Sequence, residues 1–588
     1  MFSVSASIGV FFGFFGKGQQ TGEDYFLGGR RMHVVPVIIS MTVTVMSAIT
    51  YLGLPGEVYL LGPKFGLMFA SKFLVAFLTT QFFLPVFYRL RVVSVYEYYD
   101  KRFSVALRYC VMLAECAHSL IYNGVVIFVP SLALSTITGI NLAFSVLAVG
   151  VICTFYTTIG GFKTVIWADV FQALIMLIGF LLIIIGGTVR IGGAAEGWRR
   201  AKEGQRTQLV DFNFDPTVRY TFWTIMIGGT FFYTMLNGSK QAVIQRYNSC
   251  KTEREAKLVA WIGIIGMGVV EMLAVICGMV AFAWYAYCDP LTTGRITSRD
   301  QLVPLLVMDL FHGIPGLPGI AIAGAFCASL SSVSSLINSL AAVIGETIIK
   351  NYWTDMSEAS YTRLMKFISA FLGLISIGIA LLTSFLGGVI QIVLSLGGIF
   401  GGPGFGVICL GVFVPRADAR SALSGLIVAV IVGLSLEIGA RVTGSRSQSN
   451  LPVSVERCES LNTSHITEMP MTYQTFTDLA PADYYSETTG FSDVTASEAE
   501  LHVHRIAIFA ISNLHYSTIS TVITFIVGVL VSYLPGGKGA DACDSAHLTP
   551  MVQKYFLKSR EEKEGTKKGL GNQYQEVPTE MEDISKNV

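Results

Sequence analysis

Residues 36–57 read PVIISMTVTVMSAITYLGLPGE. The stretch is long and apolar enough to cross a bilayer, yet it holds three Thr, two Ser, two Gly and two Pro. Hydroxyls that bond back to their own helix account for one or two of these residues, but poorly for so dense a cluster. The pattern predicts a membrane helix whose backbone unwinds part-way. Unwound backbone at bilayer depth is tolerated only where it is buried in protein or lines a cavity, and its freed carbonyls are ready ligands for a small cation.

The rest of the chain agrees that the solvent is lipid. Of 588 residues 52% are hydrophobic and only 14% charged, against about a quarter charged in ordinary globular chains, and the mean hydropathy is +0.58. Apolar runs of about twenty residues predict spans near 35–56, 66–88, 107–135, 141–158, 163–189, 218–238, 258–285, 317–349, 364–384, 388–414, 419–440 and 505–534. A further run at 2–15 is too short to cross and lacks the basic start and cleavage site of a secretory signal, so it reads as the remnant of a first span. With 41 basic against 40 acidic residues there is no excess charge to draw nucleic acid. No Walker-type loop, HExxH helix or CxxC pair is present, so ATP-driven pumping, zinc hydrolysis and dithiol chemistry lack their residues.

Basic residues crowd alternate loops: Lys17, Arg30 and Arg31; Arg89, Arg91, Lys101 and Arg102; Lys240, Arg246, Lys251, Arg254 and Lys257; Lys350 and Arg363; Arg416 and Arg420. By the positive-inside rule these face the cytoplasm, which puts the first terminus outside and the tail from 535 to 588 inside. Segment 190–217 breaks the pattern with Arg199, Arg200, Lys202 and Arg206, but it also carries Glu196, Glu203, Asp211 and Asp215, and reads as a longer structured loop. The polar stretch 441–504 contains the sequon Asn462-Thr463-Ser464 on the side expected to be outside, where a glycan is expected. A second match at Asn237 lies at a cytoplasmic helix end and is expected to stay bare. Cys288 and Cys458 are the two cysteines expected outside, where a disulfide can form.

A second cluster, AGAFCASLSSVSSLINSLAAV, lies within 317–349. Ala328, Ser331 and Ser332 stand at i, i+3 and i+4, so one helical face presents a carbonyl beside two hydroxyls. Oxygens of that kind suit a hard cation such as sodium. Small residues and serines also serve helix–helix packing, and composition alone leaves both readings open.

Taken in order, the segments GKGQQTGEDYFLGGRRM, MSAITYLGLPGEVYLLGPKF, LPVFYRLRVVSVYEYYDKRF, CTFYTTIGGFKTVIWADVFQ, QAVIQRYNSCKTEREAK, SLSSVSSLINSLAAV and GGIFGGPGFGVICLGVFVPRA resemble the sodium/solute symporter family. Within it they are similar to the branch of sodium-coupled monocarboxylate, multivitamin and iodide transporters. The resemblance covers most of residues 17–440. It implies an all-α integral membrane protein with a five-plus-five inverted-repeat, leucine-transporter-like core. The repeats would be 35–189 and 218–414, with one helix before them, truncated here, and two after them at 419–440 and 505–534. It also implies a sodium ion held by the carbonyls of Val43, Met46 and Ala328 and the hydroxyls of Ser331 and Ser332. Asp169 would then lie on the sodium exit path, with a helix N-terminal charge as the alternative.

On the substrate side the resemblance points to Thr50, where the iodide transporter has Gln and the monocarboxylate branch Thr, to Tyr122, and more weakly to Thr44. Lys72 departs from the family: it stands six residues inside its span, about 9 Å of helix rise, where the iodide transporter has a substrate-contacting Gln. It is a candidate counter-charge for a carboxylate, with snorkelling toward the headgroups as the alternative. Glu115, His118 and Glu271 read as paired or protonated structural groups. The function implied is a plasma-membrane symporter, not an enzyme, with no cofactor beyond co-transported sodium. Its cargo would be a small organic anion, most simply a monocarboxylate. A biotin- or pantothenate-like vitamin and an iodide-like anion are the alternatives within the class, and a non-transporting sodium-gated sensor or leak channel is the alternative outside it.

Overall fold

The computed structural model describes residues 1–15, 21–383, 389–443, 450–458, 507–535 and 543–559. Asn462 and most of 441–504 lie outside the described residues, as does most of the tail after 535. The described elements are all helical. Among the described residues, eight helices are long and apolar enough to cross a membrane, or nine when one bent pair is counted as a span. This is a multi-pass membrane protein.

The bent pair is the decisive stretch. Helix Val34–Thr44 starts at His33, whose Nδ1 accepts the Val35 N–H. It stops at Val45, where φ −100 and ψ 1 leave helical geometry. The chain resumes as a wide turn, Ile49–Gly53, and a second helix, Leu54–Leu61, inclined by 59° to the first. Hydroxyls and small residues make the break tolerable. Thr44 Oγ1 bonds back to the Ser40 carbonyl of its own helix at 2.5 Å, and Ser47 Oγ accepts the Ile49 N–H at 3.2 Å, so an N–H released by the bend finds a side-chain partner. Pro55 sits in the first turn of the second helix, where its missing N–H has no cost.

The two expected spans 141–158 and 163–189 form one run, Leu142–Ile191, of 50 residues. At 1.5 Å per residue it would be about 75 Å long, far beyond the roughly 30 Å of hydrocarbon a helix crosses. The run is interrupted at Gly161, with φ 56 and ψ −155. A Cβ there would lie 2.7 Å from the Tyr25 ring, so both the backbone conformation and the close approach call for glycine. Helix Leu317–Ile344 is the centre of the bundle: its span is 78% buried, against 33% for Leu142–Ile191.

Segment 190–217 carries a helix, Ala194–Glu203, followed by irregular chain. Its positive charges are consumed locally. Arg199 and Arg200 pair with Glu196, and their hydrogen bonds hold that carboxyl down to about 2. Arg206 is buried and donates to the carbonyls of Tyr59, Leu451 and Pro452. These pairings explain physically why this segment departs from the loop charge pattern. Residues 450–458 lie across the same end of the bundle: Leu451 N–H donates to Leu60 O, and Cys458 is bonded to Cys288, with Cα atoms 4.9 Å apart.

Candidate functional site

The break in the bent pair faces the serine-rich helix. Ser332 Oγ lies 3.4 Å from both the Thr44 and the Met46 carbonyl oxygens, which the bend has released. Ala328 and Ser331 stand on the same buried face one turn earlier and one residue earlier. Val43 O is engaged by the Met46 N–H at 3.0 Å. Thr44 O is an oxygen that the sequence expectation omitted.

Ser331 turns its hydroxyl to Asp169 instead, donating to Oδ1 at 2.7 Å. The other carboxylate oxygen of Asp169 accepts from Ser40 Oγ at 2.5 Å and from Arg246 Nη2 at 2.9 Å. Arg246 also donates to Ser40 Oγ at 2.9 Å and to Ser335 Oγ at 2.8 Å. Asp169 and Arg246 are both fully enclosed, so Asp169 is one half of a buried ion pair rather than a helix-end charge. Ser335 continues the Ala328–Ser331–Ser332 face by one more turn and was legible in that spacing. Arg246 lies in the QAVIQRYNSC segment, but nothing in that segment names its partner.

Beside the break lies a cavity of about 210 Å³, whose walls include Thr44, Thr50, Tyr122, Phe232, Ser332 and Leu336. The expected substrate-side residues Thr44, Thr50 and Tyr122 are thus brought together next to Ser332. The volume is below the usual range for drug-sized ligands and suits a small solute. A second cavity of about 180 Å³ lies toward Glu57, Arg219, Arg299 and Asp300, and Glu57 is ion-paired to both arginines. The two cavities share Ile49, Thr50, Phe232 and Tyr233 as walls.

Lys72 lines neither of these cavities, which corrects its placement beside the substrate. It is fully buried, so it does not snorkel either. Its Nζ is 3.0 Å from Glu271 Oε1 and 2.8 Å from the centre of the Tyr233 ring. Tyr233 Oη donates to the same Glu271 oxygen at 2.5 Å. The charge is neutralised behind the cavity wall because helix Glu253–Trp284 packs against the helix that carries Lys72. Glu115 is likewise paired, with Lys240, at one end of the larger cavity.

Unwound carbonyls and facing serine hydroxyls thus adjoin a small cavity. The family model for the sodium:solute symporter family matches residues 25–429. The chain belongs to that family. It is a sodium-coupled solute symporter, and its relatives are transporters rather than enzymes. It is 40% identical to human sodium-coupled monocarboxylate transporter 1 over 92% of this chain and 86% of that one. It is 38% identical to the human sodium/iodide cotransporter over 91% of this chain and 82% of that one. Its fold is that of a Na+-coupled sialic acid symporter captured in a substrate-bound outward-open state. There the TM-score is 0.69 at 21% identity, covering 92% of this chain and 97% of the other. The symporter therefore has the five-plus-five, leucine-transporter-like core.

Proposed function

We propose that this symporter carries a small monocarboxylate inward across the plasma membrane, drawn by sodium. The reading rests on one observation: Thr50 and Tyr122 face the same small cavity as Ser332, whose hydroxyl meets the carbonyls released at the break. The 40% identity to a sodium-coupled monocarboxylate transporter supports that choice of cargo. Sodium sits between the break and the serine helix, on oxygens drawn from Val43, Thr44, Met46, Ala328, Ser331 and Ser332. Asp169 receives the Ser331 hydroxyl when the ion departs. The first terminus faces outward, and Asn462 carries a glycan on that side. The two inverted repeats run over 35–189 and 218–414.

The test is uptake of labelled lactate, butyrate, biotin, iodide and glucose by cells expressing the full chain, in sodium and in choline medium. Sodium-dependent uptake of lactate or butyrate above the others is expected. Preferential uptake of iodide or biotin would replace the cargo and leave the symporter. A sodium current with no solute uptake would replace the transporter reading with a channel or sensor.

A further inference from the structure

Most basic side chains near the two cavities already have partners that hold them in place. Lys72 is held by Glu271, Arg246 by Asp169, and Arg219 and Arg299 by Glu57. Among the described residues that line the larger cavity, Lys240 is the one lysine or arginine. It stands in extended backbone, φ −77 and ψ 132, between helices Thr230–Ser239 and Gln241–Asn248. Val243 N–H donates back to Lys240 O, the N–H groups of Gln241 and Ala242 precede the helix's own ladder, and all three residues line the same cavity, so the positive end of that helix lies beside the ammonium.

Lys240 is not left alone before a solute arrives. Its Nζ pairs with Glu115, and the two side chains are 18% and 9% exposed. Helix Val389–Phe413 makes room for them with glycine. A Cβ on Gly401 would stand 2.8 Å from Met235 Sδ and 3.3 Å from both Lys240 Nζ and Glu115 Oε1, while one on Gly397 would meet His118 Nε2 at an ordinary 3.4 Å contact. These glycines are one turn apart on one face, so the helix presents bare backbone where the charged groups lie. Glu115, His118, Ser119 and Tyr122 line the cavity from a single face at i, i+3, i+4 and i+7.

We propose that Lys240, seated by Glu115 in the recess at Gly397 and Gly401, is the cation that receives the carboxylate of the cargo and so selects for organic anions. The assignment rests on the anion-symport reading above. An ammonium has three donors, and one carboxylate partner leaves the others for a second acceptor. The cargo gains a charge-assisted hydrogen bond. When it leaves, Lys240 falls back on Glu115, and no bare charge remains in the membrane.

The test measures sodium-driven uptake of labelled lactate and butyrate by the full chain, with surface labelling to count transporters. If the parent carries no carboxylate at all, the functional reading fails, and this assignment fails with it. If the parent carries one, Lys240→Gln should raise the carboxylate KM by about ten- to a hundredfold. The sodium KM should stay unchanged, and Lys240→Arg should stay close to the parent. The double variant Glu115→Gln with Lys240→Gln removes the pair without stranding a charge, so it carries the test even if the single variant fails to reach the surface. Lys240 as a recognition residue keeps the double variant's carboxylate KM raised. Recovery of the parental KM in the double variant, or parental affinity in Lys240→Gln, overturns the assignment and leaves the pair a structural one.

Discussion

Replacing Lys72 by Gln strips a buried carboxylate of its counter-charge. Lys72 has no exposed side-chain surface and Glu271 only 4%, and the groups are 3.0 Å apart. Removing one partner of such a pair costs about 3–5 kcal/mol, because the remaining carboxylate keeps the Tyr233 hydroxyl but no counter-charge. At 1.36 kcal/mol per decade, that is a fall of roughly a hundred- to several-thousandfold in the folded-to-unfolded ratio. Glu271→Gln added to Lys72→Gln removes the stranded charge, and the double variant should return to within about 1 kcal/mol of the parent. The assay is stepwise heating of the detergent-purified full chain, scored by the monodisperse fraction that remains. The single variant should lose about 2–4 °C in its midpoint, since the unfolding entropy scales with chain length, and the double variant should regain most of it. Uptake of every solute should fall together in Lys72→Gln, since the ammonium lines neither cavity and acts only through Glu271 and Tyr233, which do. A Lys72→Gln protein with parental heat resistance and a selective loss of carboxylate uptake would show that the ammonium faces the cargo, and would refute the reasoning from the pair.

Ser331→Ala with Ser332→Ala should lower the apparent sodium affinity at least about tenfold in uptake assays while surface expression holds, with Ser332 the larger contributor because its hydroxyl meets the break directly; unchanged sodium dependence would remove the site. Asn462→Gln should sharpen and speed the band on a gel, whereas Asn237→Gln should not, because Asn237 is buried and its amide donates to Tyr233 O at 2.8 Å; a shift from the Asn237 change alone would reverse the orientation. Thiols at Cys288 and Cys458 should react with maleimide only after reduction, and labelling without reductant would contradict the bond between them.

The broken helix was legible because its signal is local. Thr, Ser, Gly and Pro in a bilayer-length run have to be accommodated somewhere, and Val45 to Ser47 is where the structure does so. The serine face was legible for a similar reason, since spacing alone places Ala328, Ser331 and Ser332 on one side of a helix. The fate of the buried charges was not. Glu115 and Lys240 lie 125 residues apart and Lys72 and Glu271 lie 199 apart, so Glu115, Lys72 and Glu271 read in sequence as lone charges in lipid and Lys240 as a loop charge, and only tertiary packing joins them. That is why Lys72 looked like a cargo contact. The polar stripe from Glu115 to Tyr122 was available as a periodicity, but its importance appears only once Lys240 stands opposite. Helix Ala194–Glu203 was hidden for another reason: its sequence is strongly charged, and its i,i+4 ion pairs within a loop give no apolar run to notice.

Ile49, Thr50, Phe232 and Tyr233 are walls common to both cavities. For a solute that used both cavities, passage would wait on those side chains yielding, on the microsecond-to-millisecond scale of collective helix motion. The same side chains bear on electrical tightness. Trimming Phe232 to Ala removes a large part of the seal without touching an ion ligand, and an enlarged sodium leak current is its natural signature. In this bundle, the difference between a coupled carrier and a conducting pore comes down to the breadth of a few side chains.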